Sequence, residues 1–299
     1  MTDPQPEVSS GAQLAVRHGL RPIGQEVALV PYLHSLWQRR AFIWTFARSR
    51  IAAENAESRL GQLWQVLNPL LNAGVYYLVF GVILGQSKKI ENYIAFLLTG
   101  VFIFAFSQRT IQAGARSITG NLGLVRALHF PRAVLPLANV LEEFIKTGTS
   151  LVVLGIIIVA TGEPIDLTWL LIVPALLLQL MFSAGIALVF ARLTAQIRDV
   201  AQFLPFALRI WMYLSGVMYL ISDFIAKHSD KVIIVDLLRI NPANVYISLA
   251  RDALMNTAQT RVGTSDWLLA VMWAVIPLVI PLVLGFIFFH RAENRYGRG

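Results

Sequence analysis

The feature of this sequence that most restricts its fold is a long run, from Leu60 to Ser87, that contains no charged side chain. At a rise of about 1.5 Å per residue, a helix over this run is long enough to cross a hydrocarbon core of roughly 30 Å. Arginine is concentrated before it, at Arg48, Arg50 and Arg59. By the positive-inside rule, the run is therefore predicted to be a first membrane span that starts at the cytoplasmic side.

The composition agrees with an all-α integral membrane protein. Charged residues make up 14% of the 299 residues and hydrophobic residues 56%, whereas soluble domains contain about 25% charged residues. The net charge is +8, but the arginines lie beside apolar segments and form no basic stripe interleaved with aromatics. Membrane topology and anionic lipid head groups account for them, so no nucleic-acid partner is expected.

Six apolar segments of spanning length are predicted, at residues 63–85, 93–112, 134–160, 167–191, 201–221 and 267–290. With both termini in the cytoplasm, the predicted inside segments carry 16 Lys and Arg residues and the outside loops carry 7. This asymmetry predicts a multi-pass protein of the cytoplasmic membrane. Small residues on the fourth segment permit close helix packing there: Ser183, Ala187 and Ala191.

The segment before the first span is predicted to have two parts. Residues 1–32 are rich in Pro, Gly and polar residues and are expected to form a flexible cytoplasmic tail. In residues 33–59, apolar residues recur at helical spacing among arginines, which predicts an amphipathic helix lying in the membrane interface. A helix packed on the protein's own loops is the alternative. Residues 60–299 then form the membrane domain.

The inside loop between the second and third segments is predicted to carry a short helix at Leu122–Leu128, followed by an extended stretch from Phe130 to Pro136. Such a helix could insert into a groove on a cytoplasmic partner, as amphipathic helices do. An ordinary turn between helices remains the alternative. The residues that would make this contact are Asn121, Leu124, Val125, Arg126, Leu128, His129 and Phe130.

The third segment contains three charged residues, Glu142, Glu143 and Lys146. Lys146 is one helical turn from both glutamates, so one pair can compensate internally and one carboxylate is left over. Arg209 in the fifth segment, or Arg109 or Arg116 near the end of the second, could neutralise it. A structural ion-pair network is the favoured interpretation, and a proton relay is the alternative.

The outside segment between the fifth and sixth spans, from Ser222 to Asp266, is too long for a turn. Lys231–Arg239 is apolar but too short to span, and Asn241 with Pro242 predicts the start of a helix that ends near Met255. Two short helices that re-enter the outer leaflet or cap a pore are therefore expected. A lid with only a packing role is the alternative.

Four stretches, taken in order, resemble one family: Arg59–Leu71, Asn121–Pro136, Arg198–Asp199 and Asn241–Pro242. They are similar to the permease subunit of ABC transporters that export polysaccharides, the type-2 exporters of O-antigen, teichoic acid and cell-wall galactan. The resemblance implies a homodimer of six-span subunits, two copies of a cytoplasmic ABC ATPase docked on the interface helix and the loop, periplasmic gate helices, and a channel for a lipid-linked polysaccharide. The galactan exporters are the most similar in arginine content and hydrophobicity.

Aromatic side chains are the expected channel lining, because sugar rings stack their C–H faces on aromatic planes. The candidates lie on the first, second and fifth spans: Tyr76, Tyr77, Phe80, Phe102, Phe106, Trp211, Tyr213 and Tyr219. The family resemblance implies an aromatic-lined channel built from these same spans. Lipid-facing or interfacial positions are the alternative for each residue.

The chain is not expected to be an enzyme. It contains no Gly-Lys dipeptide, so it has no phosphate-binding Walker loop, and ATP and Mg²⁺ are expected to bind a partner subunit. The five histidines are scattered, no catalytic motif occurs, and neither a cofactor nor a metal site is predicted in this chain. Two alternatives stay open, a type-2 ABC exporter of a drug or lipid and a proton-coupled secondary transporter.

Overall fold

The computed structural model describes residues 28–57, 63–128, 130–221, 241–256 and 264–293, and every regular element in these ranges is helical. In chain order the α-helices are α1 (Leu29–Gln38), α2 (Arg40–Glu57), α3 (Leu63–Tyr76), α4 (Tyr93–Ala115), α5 (Leu122–Ala127), α6 (Val134–Ala160), α7 (Ile172–Gln196), α8 (Val200–Tyr213), α9 (Pro242–Leu254) and α10 (Thr264–His290). Short 3₁₀ turns cover Gln86–Lys88, Thr119–Asn121 and Leu167–Leu171.

Four helical stretches within the described residues are long and apolar enough to cross a membrane: Leu63–Ile83, Tyr93–Ala115, Val134–Ala160 and Leu167–Gln196. They coincide with the first four predicted spans. The fifth predicted span differs, because α8 ends at Tyr213 rather than at Ile221. The chain turns there through Gly216, whose φ of 64° lies in the left-handed region that glycine adopts without strain. The full set of six spans stays a prediction.

The predicted close packing of small residues on α7 is confirmed. Ser183 on α7 lies 2.9 Å, oxygen to oxygen, from Ser107 on α4. Ala187 faces Gly114 of α4. Gly185 of α7 faces the backbone of α10 beside Gly285, and a methyl group added to Gly185 or to Gly285 would overlap backbone atoms of the other helix. Helices without large side chains between them gain van der Waals contact, which is a main source of association in a bilayer. Helix α7 is therefore the centre of the described bundle.

Replacing Gly185 with alanine is expected to destabilise the full chain by about 1–3 kcal/mol, because the new methyl group would meet the backbone of Pro281 and Leu282, which cannot rotate away. The thermal unfolding midpoint of the chain in detergent measures the effect. Gly148→Ala on α6 is the matched control, since nothing lies within 4 Å of its added methyl group. Equal midpoints for the two variants would contradict the close contact.

The N-terminal helices differ from the single predicted interface helix. Helix α1 begins at Leu29, inside the expected tail, and a break at Arg39 separates it from α2. Tyr32 of α1 is buried against the bundle. Its hydroxyl accepts a hydrogen bond from the Ala133 N–H at 3.2 Å, and the centre of its ring lies 4.4 Å from that of the His290 ring. On the other side Trp37 and Trp44 are largely exposed, 68% and 49%. The helix pair thus presents tryptophans outward and packs its other face on the bundle.

The start of α6 also differs from the prediction. The stretch from Phe130 to Pro136 was expected to be extended, but a turn follows Pro131 and α6 begins at Val134. Pro136 falls in the first turn of the helix, where its missing N–H would have had no partner in any case. The prediction of an extended segment up to Pro136 is therefore wrong for its second half.

Candidate functional site

The described helices line one prominent, partly open cavity of about 480 Å³ between α3, α4 and α8. The main part of its lining is polar, although all three helices come from apolar segments. The lining consists of Glu54, Trp64, Gln65, Asn68, Pro69, Asn72, Tyr76, Val101, Ala105, Gln108, Arg109, Gln112, Arg209, Met212 and Tyr213. We call it the α3–α4–α8 groove.

The groove contains two of the eight predicted channel aromatics, Tyr76 and Tyr213, whose ring centroids are 6.3 Å apart at an edge-to-face angle of 77°. Trp64, which was not among the candidates, lies in the same lining. Beyond Tyr76 the backbone of α3 becomes a π-helix over Tyr77–Ile83, and Phe80, four residues after Tyr76, is not part of the groove lining. Short π-helical segments occur often at functional sites.

The other predicted channel aromatics lie outside the groove lining. Phe102 and Phe106 are only 3% and 0% exposed and pack within the protomer. The indole N–H of Trp211 donates to Asn241 Oδ1 at 2.9 Å. The Tyr77 ring lies 6.0 Å from the Tyr93 ring at a tilt of 35°, and Phe80 and Tyr219 pack against the main core. An alanine at Phe106 would therefore test core packing, and a channel role for these six residues stays a prediction.

The predicted charges of the third span form one network with two other helices. Lys146 Nζ lies 2.7 Å from Glu142 and 3.4 Å from Glu143 on α6. Arg109 on α4 lies 3.2 Å from Glu143, as one of the predicted neutralising residues. Helix α2 adds two partners that the sequence did not identify: Arg50 lies 2.9 Å from Glu142, and Glu54 pairs with Lys146.

The network is electrically balanced, with three carboxylates against two guanidinium groups and one ammonium group. Glu142, Glu143 and Lys146 are each at most 7% exposed. Arg209, another predicted neutralising residue, lies in the groove and has no ion pair within the described residues. The network fastens α2 to α6 and α6 to α4, and both Glu54 and Arg109 also line the groove.

The inside loop forms the short helix that was predicted, although α5 ends at Ala127, one residue early. Val125 is buried and packs with Tyr32 and Leu36 of α1, while Leu128 is 52% exposed and Arg126 also faces outward. Leu124 and Phe130 are partly buried, and Asn121 Nδ2 donates to the Ser117 carbonyl at 2.7 Å instead of capping α5. His129 lies outside the described residues.

Helix α9 begins as predicted at Asn241 and Pro242. Both polar atoms of the Asn241 side chain form hydrogen bonds. Oδ1 accepts from the Ala243 N–H and from Trp211 Nε1, and Nδ2 donates to the Leu214 carbonyl and to Ser215 Oγ. The predicted partner helix at residues 231–239 lies outside the described residues. Asn92, which caps α4, and the backbone N–H of Asn256 both bind Glu163, which ties this side of the bundle together.

Arg251 on α9 is a buried charged residue that the sequence did not single out, since it was counted among the cations of an outside loop. It is 5% exposed and its guanidinium donates to three backbone carbonyls: Phe96 at 3.2 Å, Gly216 at 3.0 Å and Val217 at 2.8 Å. It also lies 3.4 Å above the centre of the Phe96 ring. Arg251 thereby joins α9 to α4 and to the turn after α8.

Comparisons with known proteins agree with this architecture. The model of the ABC-2 type transporter family matches residues 42–255. An O-antigen export system permease protein of Klebsiella pneumoniae is 30% identical over 200 residues, which are 67% of this chain and 74% of the relative. A polysialic acid transport protein of Escherichia coli is 26% identical over 227 residues, 76% of this chain and 85% of the relative. Since the family model covers more than half of the sequence and the helices that form the groove, the chain belongs to the ABC-2 type transporter family.

Proposed function

We propose that this chain is the permease subunit of an ABC exporter that moves a lipid-linked polysaccharide across the cytoplasmic membrane. The observation that carries the proposal is the polar groove between α3, α4 and α8, found in a chain whose relatives include O-antigen and polysialic acid export proteins. A glycan presents many hydroxyl groups and needs polar partners throughout its passage. The groove offers amides, guanidinium groups and tyrosines where the sequence is otherwise apolar.

The same groove argues against an exporter of drugs or lipids. An apolar cargo would be expected to use an apolar vestibule, in which unpaired amides would be unfavourable. The groove instead combines Trp64, Tyr76 and Tyr213 with charged and amide side chains. Aromatic rings beside hydrogen-bonding groups suit a sugar, whose two ring faces are apolar and whose edges carry hydroxyls.

The groove is open on one side, and a second copy of the chain is the proposed partner that closes it. The helices at its edges, α3 with the π-helix that continues it and α8, carry large apolar side chains that remain exposed in the single protomer. They include Val75, Leu78, Val82, Phe203, Phe206 and Ile210. In a homodimer these residues would pack against the second subunit or lipid, and the two grooves would face a common channel.

Two copies of a cytoplasmic ABC ATPase, which bind ATP and Mg²⁺, are proposed to drive export through α5. Leu128 and Arg126 point outward, where a partner can contact them, and Val125 points inward. Val125 belongs to a cluster that includes α1 and the ends of α7 and α10. A displacement of α5 by the ATPase would therefore be transmitted to several helices through packed side chains.

The outer side is proposed to carry the gate, with α9 as one of two short gate helices and with both chain termini in the cytoplasm. Helix α9 is too short to span a bilayer at 13 residues. It packs on α4, α7 and α10 and is held there by Asn241 and Arg251. A firmly anchored short helix at one end of the bundle suits a gate whose motion is coupled to that of the spans.

Depletion of the chain in its host is expected to cause a full-length lipid-linked polymer to accumulate on the cytoplasmic side. Extraction of the lipid fraction followed by sugar analysis measures the accumulation and identifies the glycan, for which cell-wall galactan is the first candidate. Re-expression of the chain should clear the polymer. Absence of any accumulated glycan, with drug tolerance altered instead, would replace the proposal with export of a small molecule.

A further inference from the structure

Five carboxamide side chains converge in the α3–α4–α8 groove. Three lie on α3 at helical spacing and two on α4 one turn apart: Gln65, Asn68, Asn72, Gln108 and Gln112. Residues three and four apart share a helix face, so each helix turns a row of amides toward the same space. Such a concentration of amides in two membrane-spanning helices calls for a partner.

No side chain among these five donates or accepts a hydrogen bond within the described part of the chain, and the Gln65 Oε1 atom is buried without a partner. Two other amides in the same bundle donate hydrogen bonds to protein atoms, although Asn139 Oδ1 is also buried without a partner. Gln179 Nε2 donates to the Ile103 carbonyl at 2.6 Å and to Ser107 Oγ at 2.9 Å, and Asn139 Nδ2 donates to the Ala113 carbonyl at 2.8 Å. The groove amides therefore differ from amides that hold helices together.

An amide without a partner is expensive in hydrocarbon, so these side chains must meet water or a polar ligand when the protein is in a membrane. A carboxamide has two donor hydrogens and an acceptor oxygen and carries no charge. Its natural complement is a ligand whose groups both donate and accept, as a hydroxyl does. The lining also holds three charged residues. Arg109 is engaged with Glu143, and Glu54 brings a negative charge opposite to that of Arg209, which has no ion pair within the described residues, so the five amides are the main polar groups that a ligand meets.

We infer that the five groove amides bind the hydroxyl groups of uncharged sugar residues and so select a neutral glycan over an acidic one. The inference rests on the proposed export of a polysaccharide and names the substrate class of the same groove. From Gln65 to Asn72 the row of amides on α3 extends over about 10 Å at 1.5 Å per residue, so several contacts can act along one polymer. Weak contacts repeated in this way hold a chain and still let it slide.

The test uses two matched probes and the full chain in lipid nanodiscs. A hexasaccharide of α-1,4-linked galactose is the neutral probe, and hexagalacturonic acid, which has the same linkage and carboxylates in place of the hydroxymethyl groups, is the acidic one. Saturation-transfer NMR detects weak binding of either. The neutral probe is expected to bind with at least about tenfold higher affinity than the acidic one. Equal affinities, or no saturable signal from the neutral probe, would overturn the inference.

The triple variant Asn68→Leu, Asn72→Leu, Gln108→Met keeps side-chain size and removes three amides. It is expected to lower the affinity for the neutral probe by about tenfold or more, since three hydrogen bonds are lost together. Gln202→Met, in the first turn of α8 and outside the groove lining, is the matched control and should bind as the unmodified chain does. Unchanged binding by the triple variant would show that the amides are not the sugar contacts.

Export in the host separates this inference from the proposed function. If depletion causes the polymer to accumulate but the triple variant exports it at the normal rate, the amide assignment is wrong and polysaccharide export stands. If the triple variant itself accumulates polymer while Gln202→Met does not, both are supported. If no polymer accumulates after depletion, although the neutral probe binds through the amides, the export proposal fails and the assignment of a sugar site remains.

Discussion

Lys146→Met is expected to reduce the amount of folded permease severely, because it leaves Glu142 and Glu143 buried with too few cations. Removing one partner of a buried ion pair costs about 3–5 kcal/mol, which raises the unfolded fraction roughly a hundredfold or more. The lysine contacts three carboxylates, including Glu54 on α2, so the loss would also loosen α2 from α6. The yield of monodisperse chain in detergent and its thermal midpoint measure the effect.

The control for this prediction is Lys88→Met, the same substitution at an exposed lysine in the loop before α4. A second variant makes the test specific for charge. Lys146→Met combined with Glu142→Gln restores neutrality, and Arg50, whose side chain is 40% exposed, can turn to water when Glu142 is lost. The double variant should recover much of the yield. If it is as unstable as Lys146→Met, packing rather than charge balance explains the loss.

The balance of the network also bears on the alternative of a proton relay. A relay needs a carboxylate that gains and loses a proton in each cycle, which would unbalance a network of three acids and three bases at every step. The partners of Glu142 and Glu143 come from three helices and hold them within hydrogen-bond distance. This arrangement favours the structural interpretation, in which ATP hydrolysis in a partner subunit is the source of energy.

The sequence was sufficient where the signals were local. A charge-free run predicts a span because only its own length and composition matter, and four spans are found where they were predicted. The start of α9 was predictable because an Asn followed by Pro is a helix start with its own geometry. The pairing of Lys146 with its two neighbouring glutamates follows from helical spacing alone.

Features that depend on distant contacts were not predictable. Glu54 lies 92 residues from Lys146, and no pattern near either residue specifies the other. Six of the predicted channel aromatics lie outside the groove lining and contact residues from distant parts of the chain, as Phe106 does with Phe144 and Trp211 with Asn241. The amides of α3 were visible as polar residues in an apolar run, but only the structure shows that they share a cavity with those of α4 and make no hydrogen bond to another described residue.

Arg251 illustrates the same limit, because its three acceptors are backbone carbonyls and any residue type supplies a carbonyl. Nothing in the sequence distinguishes it from an arginine in an exposed loop. In the structure it connects α9 to α4 and to the turn that ends α8, since Gly216 and Val217 lie in that turn and Phe96 lies on α4. In a bilayer these carbonyls would have few other donors.

Arg251→Met is therefore expected to abolish most assembly of the folded chain, because three buried carbonyls lose their donor and each unsatisfied group costs about 1–3 kcal/mol. Arg251→Lys should be intermediate, since an ammonium group keeps the charge but cannot reach three acceptors with the planar fork of a guanidinium. Monodisperse yield and thermal midpoint in detergent measure the series, and Arg198→Met, at an exposed arginine before α8, is the control.

Gly100→Ala tests the same contacts without replacing the arginine. An added methyl group at Gly100 would lie 2.6 Å from Arg251 Nη2 and 3.1 Å from the Val217 carbonyl oxygen, so it would displace the guanidinium from its acceptors. The variant is expected to resemble Arg251→Met, and the double variant should be little worse than either alone, because both changes break one set of contacts. Fully additive losses of yield would mean that Gly100 and Arg251 act independently. If Arg251→Met were produced at the wild-type yield, the three carbonyls would have found other donors, and the guanidinium would not be needed to hold α9 in place.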